Sequence, residues 1–250
     1  MRRLFRIFFL VVLGVVVGIV GYESIMFVRV QLLRKSNPSS TSLIDTRIRE
    51  AQAKGQQPKR MQVWVPLDKI SPNLQRAVLA GEDTNFLTHH GFDYDAIQKA
   101  FEQAQREAAR EAKAEGENDD WLPSLTEFKR GGSTISQQLA KNLYLSSQRS
   151  FLRKAQEAAL TIMLERTLTK RRILEIYLNV IEWGDGIYGA EAASQYYFHK
   201  PASSLTVTEA AFLSAMIPNP RTVFNPQTNP RRVARRQRIV LRSMPYMKLP

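Results

Sequence analysis

The stretch "GEDTNFLTHHG", Gly81 to Gly91, sets two carboxylates side by side and follows them with an aromatic ring, two histidines and a glycine. The chain has only three histidines, so this is an uneven use of them. A carboxylate here could work as a general base. The imidazoles could be metal ligands, but no second cluster completes such a site, so no metal site is predicted.

Ser71 and Pro72 mark the start of a helix, as N-cap and first helical residue. Along that helix Leu74, Val78, Glu82 and Phe86 recur every fourth residue. Glu82 therefore belongs to the apolar stripe and not to the solvent face. It also lies near the negative end of the helix dipole. Burial and dipole both disfavour its charged form and raise its pKa. Nothing obvious in the sequence neutralises it. Asp83, turned by about 100°, is expected to cap the next turn.

A second constellation is "GGSTISQQLAKN", Gly131 to Asn142. Thr134 and Gln137 form a capping-box pattern, so a helix starts here with free N–H groups able to bind an anion. Thr134, Gln137 and Lys141 make a polar stripe opposite Ile135, Leu139 and Leu143. The spacing is not that of a nucleotide-binding P-loop. In a third stretch, "RSFLRKAQE", Arg149, Arg153 and Glu157 share one helix face. They read either as surface ion pairs or as a cationic wall for a phosphorylated leaving group, with a second carboxylate at its end.

The scaffold for these residues can be bounded. The 250 residues are 44% hydrophobic, enough for one domain with an appendage. Lys and Arg number 36 against 23 acids, a formal charge of +13, which points to polyanionic partners. Without cysteine there is no disulfide framework, thiolate zinc site or thiol nucleophile. The run Leu4–Val28, interrupted by Arg6 and Glu23, is long enough to span a bilayer. No clean cleavage site follows it. The expectation is one uncleaved transmembrane signal-anchor over 1–30 with the N-terminus in the cytoplasm. A basic domain outside the membrane meets lipid head groups and pyrophosphates rather than nucleic acid.

Residues 31–60 read as a tether, and 61–250 as the catalytic domain. "MQVWVPL", Met61–Leu67, is the best strand candidate. Helices are expected from about Thr134, Ser150, Thr169, Gly189 and Thr206. A long charged helix should follow Asp93, and a basic helix, with Arg231, Arg235 and Arg238 at helical spacing, closes the chain. The fold class is mainly α.

"EDTNFLTHHG", "GGSTISQQLAKN", "RSFLRKAQE", "RRILEIYLNVIEWGDGIYGAEAASQYYF" and "LTVTEAAFLSAMIPNP" stand in that order over roughly residues 61–226. Together they resemble the motifs of the peptidoglycan glycosyltransferases, glycosyltransferase family 51. With no transpeptidase motifs after them, the resemblance is to the monofunctional members. It implies a lysozyme-like glycosyltransferase domain with a small membrane-facing jaw subdomain, polymerising lipid II outside the cytoplasmic (inner) membrane, on the periplasmic side.

The resemblance makes Glu82 the catalytic base and Glu157 the second essential carboxylate. Asp83, Phe86, His89 and Gly91 match the first motif as supporting residues. Ser133, Thr134, Gln137, Gln138, Lys141 and Asn142 match the second, and Arg149, Arg153 and Lys154 the third, as binders of substrate and pyrophosphate. Glu175, Tyr177, Asn179, Gly184 and Gly189 match the fourth and Glu209 the fifth, expected to support fold and cleft. Thr84 departs from the pattern, and the insert around Gln103–Pro123 is longer than expected. A lipid pyrophosphate is already a good leaving group, so cations suffice to stabilise it. No cofactor is required, and a divalent cation (Mg or Mn) at the pyrophosphate is optional. Expected partners are lipid II, the growing lipid-linked glycan, membrane lipids and cell-wall synthesis or division proteins, with no nucleic acid. Two competing readings are a lysozyme-like lytic enzyme and a membrane-anchored scaffold without catalysis.

Overall fold

The computed structural model of the chain describes residues 2–99, 101–102, 105–106, 132–145 and 150–250. Its helices are α1 (Arg2–Leu32), α2 (Ser42–Ala53), α3 (Pro72–Glu82), α4 (Ile135–Tyr144), α5 (Phe151–Thr167), α6 (Lys170–Val180), α7 (Ala190–Phe198), α8 (Val207–Met216) and α9 (Pro230–Ser243). Residues 94–99 are also helical. Residues 101–102 and 105–106 are helical too, and the remaining residues of the long charged helix and of the insert lie outside the described residues. The fold is mainly α.

The helix starts follow their caps. Ser71, Thr134, Ser150, Thr169 and Thr206 each accept a first-turn backbone N–H on the side-chain oxygen, and Thr134 and Thr206 complete capping boxes with Gln137 and Glu209. Gly189 opens α7 at φ 84, where a Cβ would come within 2.7 Å of the Asn179 carbonyl oxygen. Only glycine fits both constraints.

The strand expectation needs correction. Only Met61–Gln62 forms a strand, β1. Val65 gives its N–H to Asn179 Oδ1 and its carbonyl to Asn179 Nδ2, both at 2.9 Å. A side chain thus takes the backbone partners that a longer strand would use. β1 pairs in parallel with β3 (Ile187–Tyr188), which pairs antiparallel with β2 (Glu182–Gly184), giving the order β1-β3-β2. These two strands fall between the helices expected from about Thr169 and Gly189, where the sequence reading has no strand. They are too short to show alternation.

The core gathers α3, α8 and α9 on one side and α4, α5 and α6 on the other, with Trp183 and Tyr177 fully buried. α1 is the one helix among the described residues long and apolar enough to cross a membrane. Its outer end belongs to the domain, since Met26, Val30 and Leu33 are buried in the core. Within the segment read as a tether, α2 packs against α4, buries Ile44 and joins Arg47 to Glu182 at 3.0 Å.

Candidate active site

Helix α3 ends at Glu82, because Asp83 takes φ −162 and leaves the helical path. The four-residue series therefore stops there. Phe86 is buried in the following turn and not on the helix stripe. Glu82 itself sits where the periodicity puts it, with 7% of its side chain exposed.

Both Glu82 oxygens are held. Gln138 Nε2 donates to Oε2 at 2.9 Å, and Arg236 Nη2 donates to Oε1 at 2.8 Å. The Gln138 carbonyl oxygen accepts from the hydroxyl of buried Tyr177 at 2.9 Å, so α6 fixes α4 and α4 fixes the acid. Burial raises the Glu82 pKa above the usual carboxylate value, opposed by the charge and hydrogen bond of Arg236, the Gln138 hydrogen bond and the charge of Lys141. Arg236 thus corrects the expectation that nothing neutralises this acid. Arg231, Arg235 and Arg238, singled out on that helix, are exposed.

Asp83 caps more than a turn. Its Oδ2 accepts the Ile135 N–H at 2.9 Å, at the first residue of α4. The anion at that helix N-terminus is thus the protein's own carboxylate. Gly91 N–H donates to His89 Nδ1 at 3.0 Å, so Nε2 carries the proton and donates to Asp83 at 2.9 Å. Thr134 Oγ1 donates to the Gly91 carbonyl at 2.7 Å. Gly91 has φ 101, and a Cβ there would meet Thr161 Cγ2 at 2.8 Å. These contacts tie the two first sequence motifs into one unit. Lys170 closes it from behind, with Nζ 4.6 Å from the Phe86 ring centre and 2.8 Å from Glu165.

Glu157 is buried and paired with Arg153 Nη1 at 2.9 Å and with Lys154. Lys141 is exposed as a residue, yet crowding by protein atoms lowers its pKa. Glu157 opposes that shift, Arg153 and Lys154 add to it, and Glu82 opposes it. Lys141 therefore senses both carboxylates. Ser133 is exposed, Gln137 is buried in the capping box, and Asn142 is half-buried on α4. Arg149 lies outside the described residues. A cavity of about 200 Å³ opens between the acid and the α4 start, with Glu82, Asp83, Asp93, Ser133 and Thr134 in its lining.

The fourth and fifth motifs do structural work in the geometry. Glu175 accepts from Leu67 N–H, Asn179 clamps Val65, and Glu209 caps α8 while pairing with Lys200. Among the described residues, no group of three or more His, Asp or Glu side chains is arranged to hold a metal ion.

A buried acid fixed on both oxygens, beside a cluster of cations, defines a site for base-assisted transfer to or from a phosphorylated group. The family described as "Transglycosylase" matches residues 49–245, and the chain belongs to it. A protein named biosynthetic peptidoglycan transglycosylase from Chromobacterium violaceum is 44% identical over 245 residues, covering 98% of this chain and 99% of its own length. Proteins of the same name from Aromatoleum aromaticum and Thiobacillus denitrificans are 45% identical over 240 residues and 47% identical over 221. They cover 96% and 88% of this chain. The domain is lysozyme-like in family terms, as the sequence motifs implied.

Proposed function

We propose that this chain is a peptidoglycan glycosyltransferase that polymerises lipid II into β-1,4-linked glycan strands and releases polyprenyl pyrophosphate. The observation that carries the reading is Glu82: a buried carboxylate with a raised pKa, oriented through both oxygens, beside the Lys141–Arg153–Lys154 cluster.

In the proposed reaction Glu82 takes the proton from the attacking sugar hydroxyl. That oxygen bonds to the donor's anomeric carbon as the bond to the pyrophosphate oxygen breaks. The electron pair leaves on the pyrophosphate. Attack opposite an α-linked leaving group gives the β product. Lys141, Arg153, Lys154 and Arg149 stabilise the developing charge, while Glu157 orients Arg153 and Lys154. Ser133, Gln138 and Asn142 contact substrate around them. The reaction needs no resident cofactor, and a divalent cation, where it takes part, arrives with the pyrophosphate.

In this reading α1 anchors the chain in the cytoplasmic membrane as a single span, and the catalytic domain stands on the periplasmic side. Its partners are lipid II, the growing lipid-linked glycan and cell-wall synthesis or division proteins. Incubation of the full chain with labelled lipid II tests the activity. Polymer that a muramidase digests is the expected product. Shortening of preformed glycan without polymer from lipid II would favour a lytic enzyme and overturn the reading.

A further inference from the structure

Most of α1 is exposed, and then Met26, Val30 and Leu33 bury themselves in the domain core, where the helix packs against α5. Two arginines fix this end, one on α1 itself and one on α6. Arg29 lies over the ring of Tyr144 on α4, 5.1 Å from its centre. Arg172, on α6, donates from Nε to the Leu33 carbonyl at 2.9 Å and from Nη2 to the Ser36 carbonyl at 2.8 Å and Asn37 Oδ1 at 2.7 Å. Its guanidinium is itself held by Glu175 and by the Trp64 ring at 5.6 Å. A helix C-terminus leaves its last carbonyls unpaired and carries a partial negative charge. Arg172 answers both.

Two of the helices that receive the anchor, α4 and α5, carry the cations. Lys141 and Tyr144 stand on α4, about one helical turn apart. Arg153, Lys154 and Glu157 stand on α5. The run Leu4–Val28, about 37 Å long at 1.5 Å per residue, crosses a hydrocarbon core of roughly 30 Å and gives way to Arg29. A cation at that end of an apolar span suits the level of the lipid head groups.

We propose that the outer end of α1 is a rigid strut. Arg29 and Arg172 act as positioning residues that lock the anchor to α4 and α6, so that Lys141, Arg153 and Lys154 stand at the depth of lipid phosphates. The proposal rests on the glycosyltransferase reading, and it adds that side-chain contacts and not tether length set the height of the site. A loose tether would let the site range over a distance set by its length.

The chain has no cysteine, so Leu152→Cys, at a position 85% exposed at the start of α5, takes a single spin label. The labelled full chain is placed in phosphatidylglycerol-containing vesicles carrying lipid II, and label depth is measured by paramagnetic relaxation. The parental chain should give one narrow depth at head-group level. In Arg29→Gln/Arg172→Gln the depth should broaden and shift. Polymerisation in vesicles should then fall roughly ten- to a hundredfold, while polymerisation in detergent micelles stays within about twofold. Tyr144→Leu removes the ring under Arg29 with little loss of apolar volume, and it should move both readouts the same way should the double variant fail to fold. Unchanged depth with unchanged vesicle activity overturns the strut. Equal losses in vesicles and micelles also overturn it, because they mark a merely structural role. A parental chain that makes no polymer in either medium counts against the glycosyltransferase reading, and the depth shift then decides the strut alone.

Discussion

Arg236 reaches Glu82 across 154 positions of sequence and donates to its Oε1 at 2.8 Å, while the same Nη2 caps the Gly81 carbonyl at 2.7 Å. The last helix therefore sets a cation against the acid at the end of the third. Burial pushes the Glu82 pKa up and Arg236 pulls it back.

Removing that pull has a predictable sign. In Arg236→Gln the Glu82 pKa should rise further, so the base is protonated at a higher pH. The acid limb of the pH–rate profile should move upward, and the rate near neutrality should fall while the alkaline plateau recovers. A profile identical to the parental one would show that the pair only joins α9 to α3.

Glu82→Gln should lose polymerisation by about 10²–10⁴-fold, the usual cost of removing a general base. The fold should survive. The carbonyl oxygen of the introduced amide can accept from Arg236. Its NH₂ can donate to Gln138 once the Gln138 amide flips, and the Tyr177 hydroxyl then turns to accept from Gln138. The raised folded-state pKa means that Glu82 favours folding at acid pH, and that contribution is lost as pH rises through the raised value. The substitution should flatten this dependence in thermal melts taken across pH. Single-turnover coupling measures the chemistry beside it.

Asp83→Asn should cost stability, by about 1–3 kcal/mol for a buried donor left unpaired. An Asn oxygen in place of Oδ2 can still accept from Ile135 N–H and from His89 Nε2, but the amide nitrogen then replaces Oδ1, 3.0 Å from the same protonated Nε2, and is the buried donor left without an acceptor. The Gly91 N–H on Nδ1 blocks the other tautomer. A cap on the next turn alone would have made this variant mild. Urea unfolding beside Glu82→Gln should place it as the less stable of the two.

Lys141→Ala should keep the fold, because the residue is exposed, and lose activity roughly ten- to a hundredfold through a missing charge-assisted contact to pyrophosphate. Since crowding lowers the Lys141 pKa, the parental rate should fall at a more acid pH than an ordinary lysine would give. The variant should lack that alkaline limb. Parental rates across the range would make the ammonium a solvated side chain.

The helix starts were legible because each depends on a residue and its near neighbours, as at Thr134, Ser150, Thr169 and Thr206. The burial of Glu82 was legible because period 3.6 is a local property. Arg236 is not legible in the sequence, since six arginines crowd that helix and packing alone separates them. A signal was present: Val233, Arg236 and Val240 follow at i, i+3 and i+7, and both valines are buried. The short β2–β3 pair left no alternation to find. Asp83 filling the start of α4 joins segments 52 positions apart, a distance that no window of sequence spans.

The burial of Met26, Val30 and Leu33 bears on whether the enzyme can be shed. A protease cutting within the apolar span would leave a greasy stump on the released domain. One cutting after Leu33 would strip a groove in the core and free the carbonyls that Arg172 holds. Either cut should therefore cost the released domain stability or solubility, so the anchor is part of the folded domain and not a detachable leader.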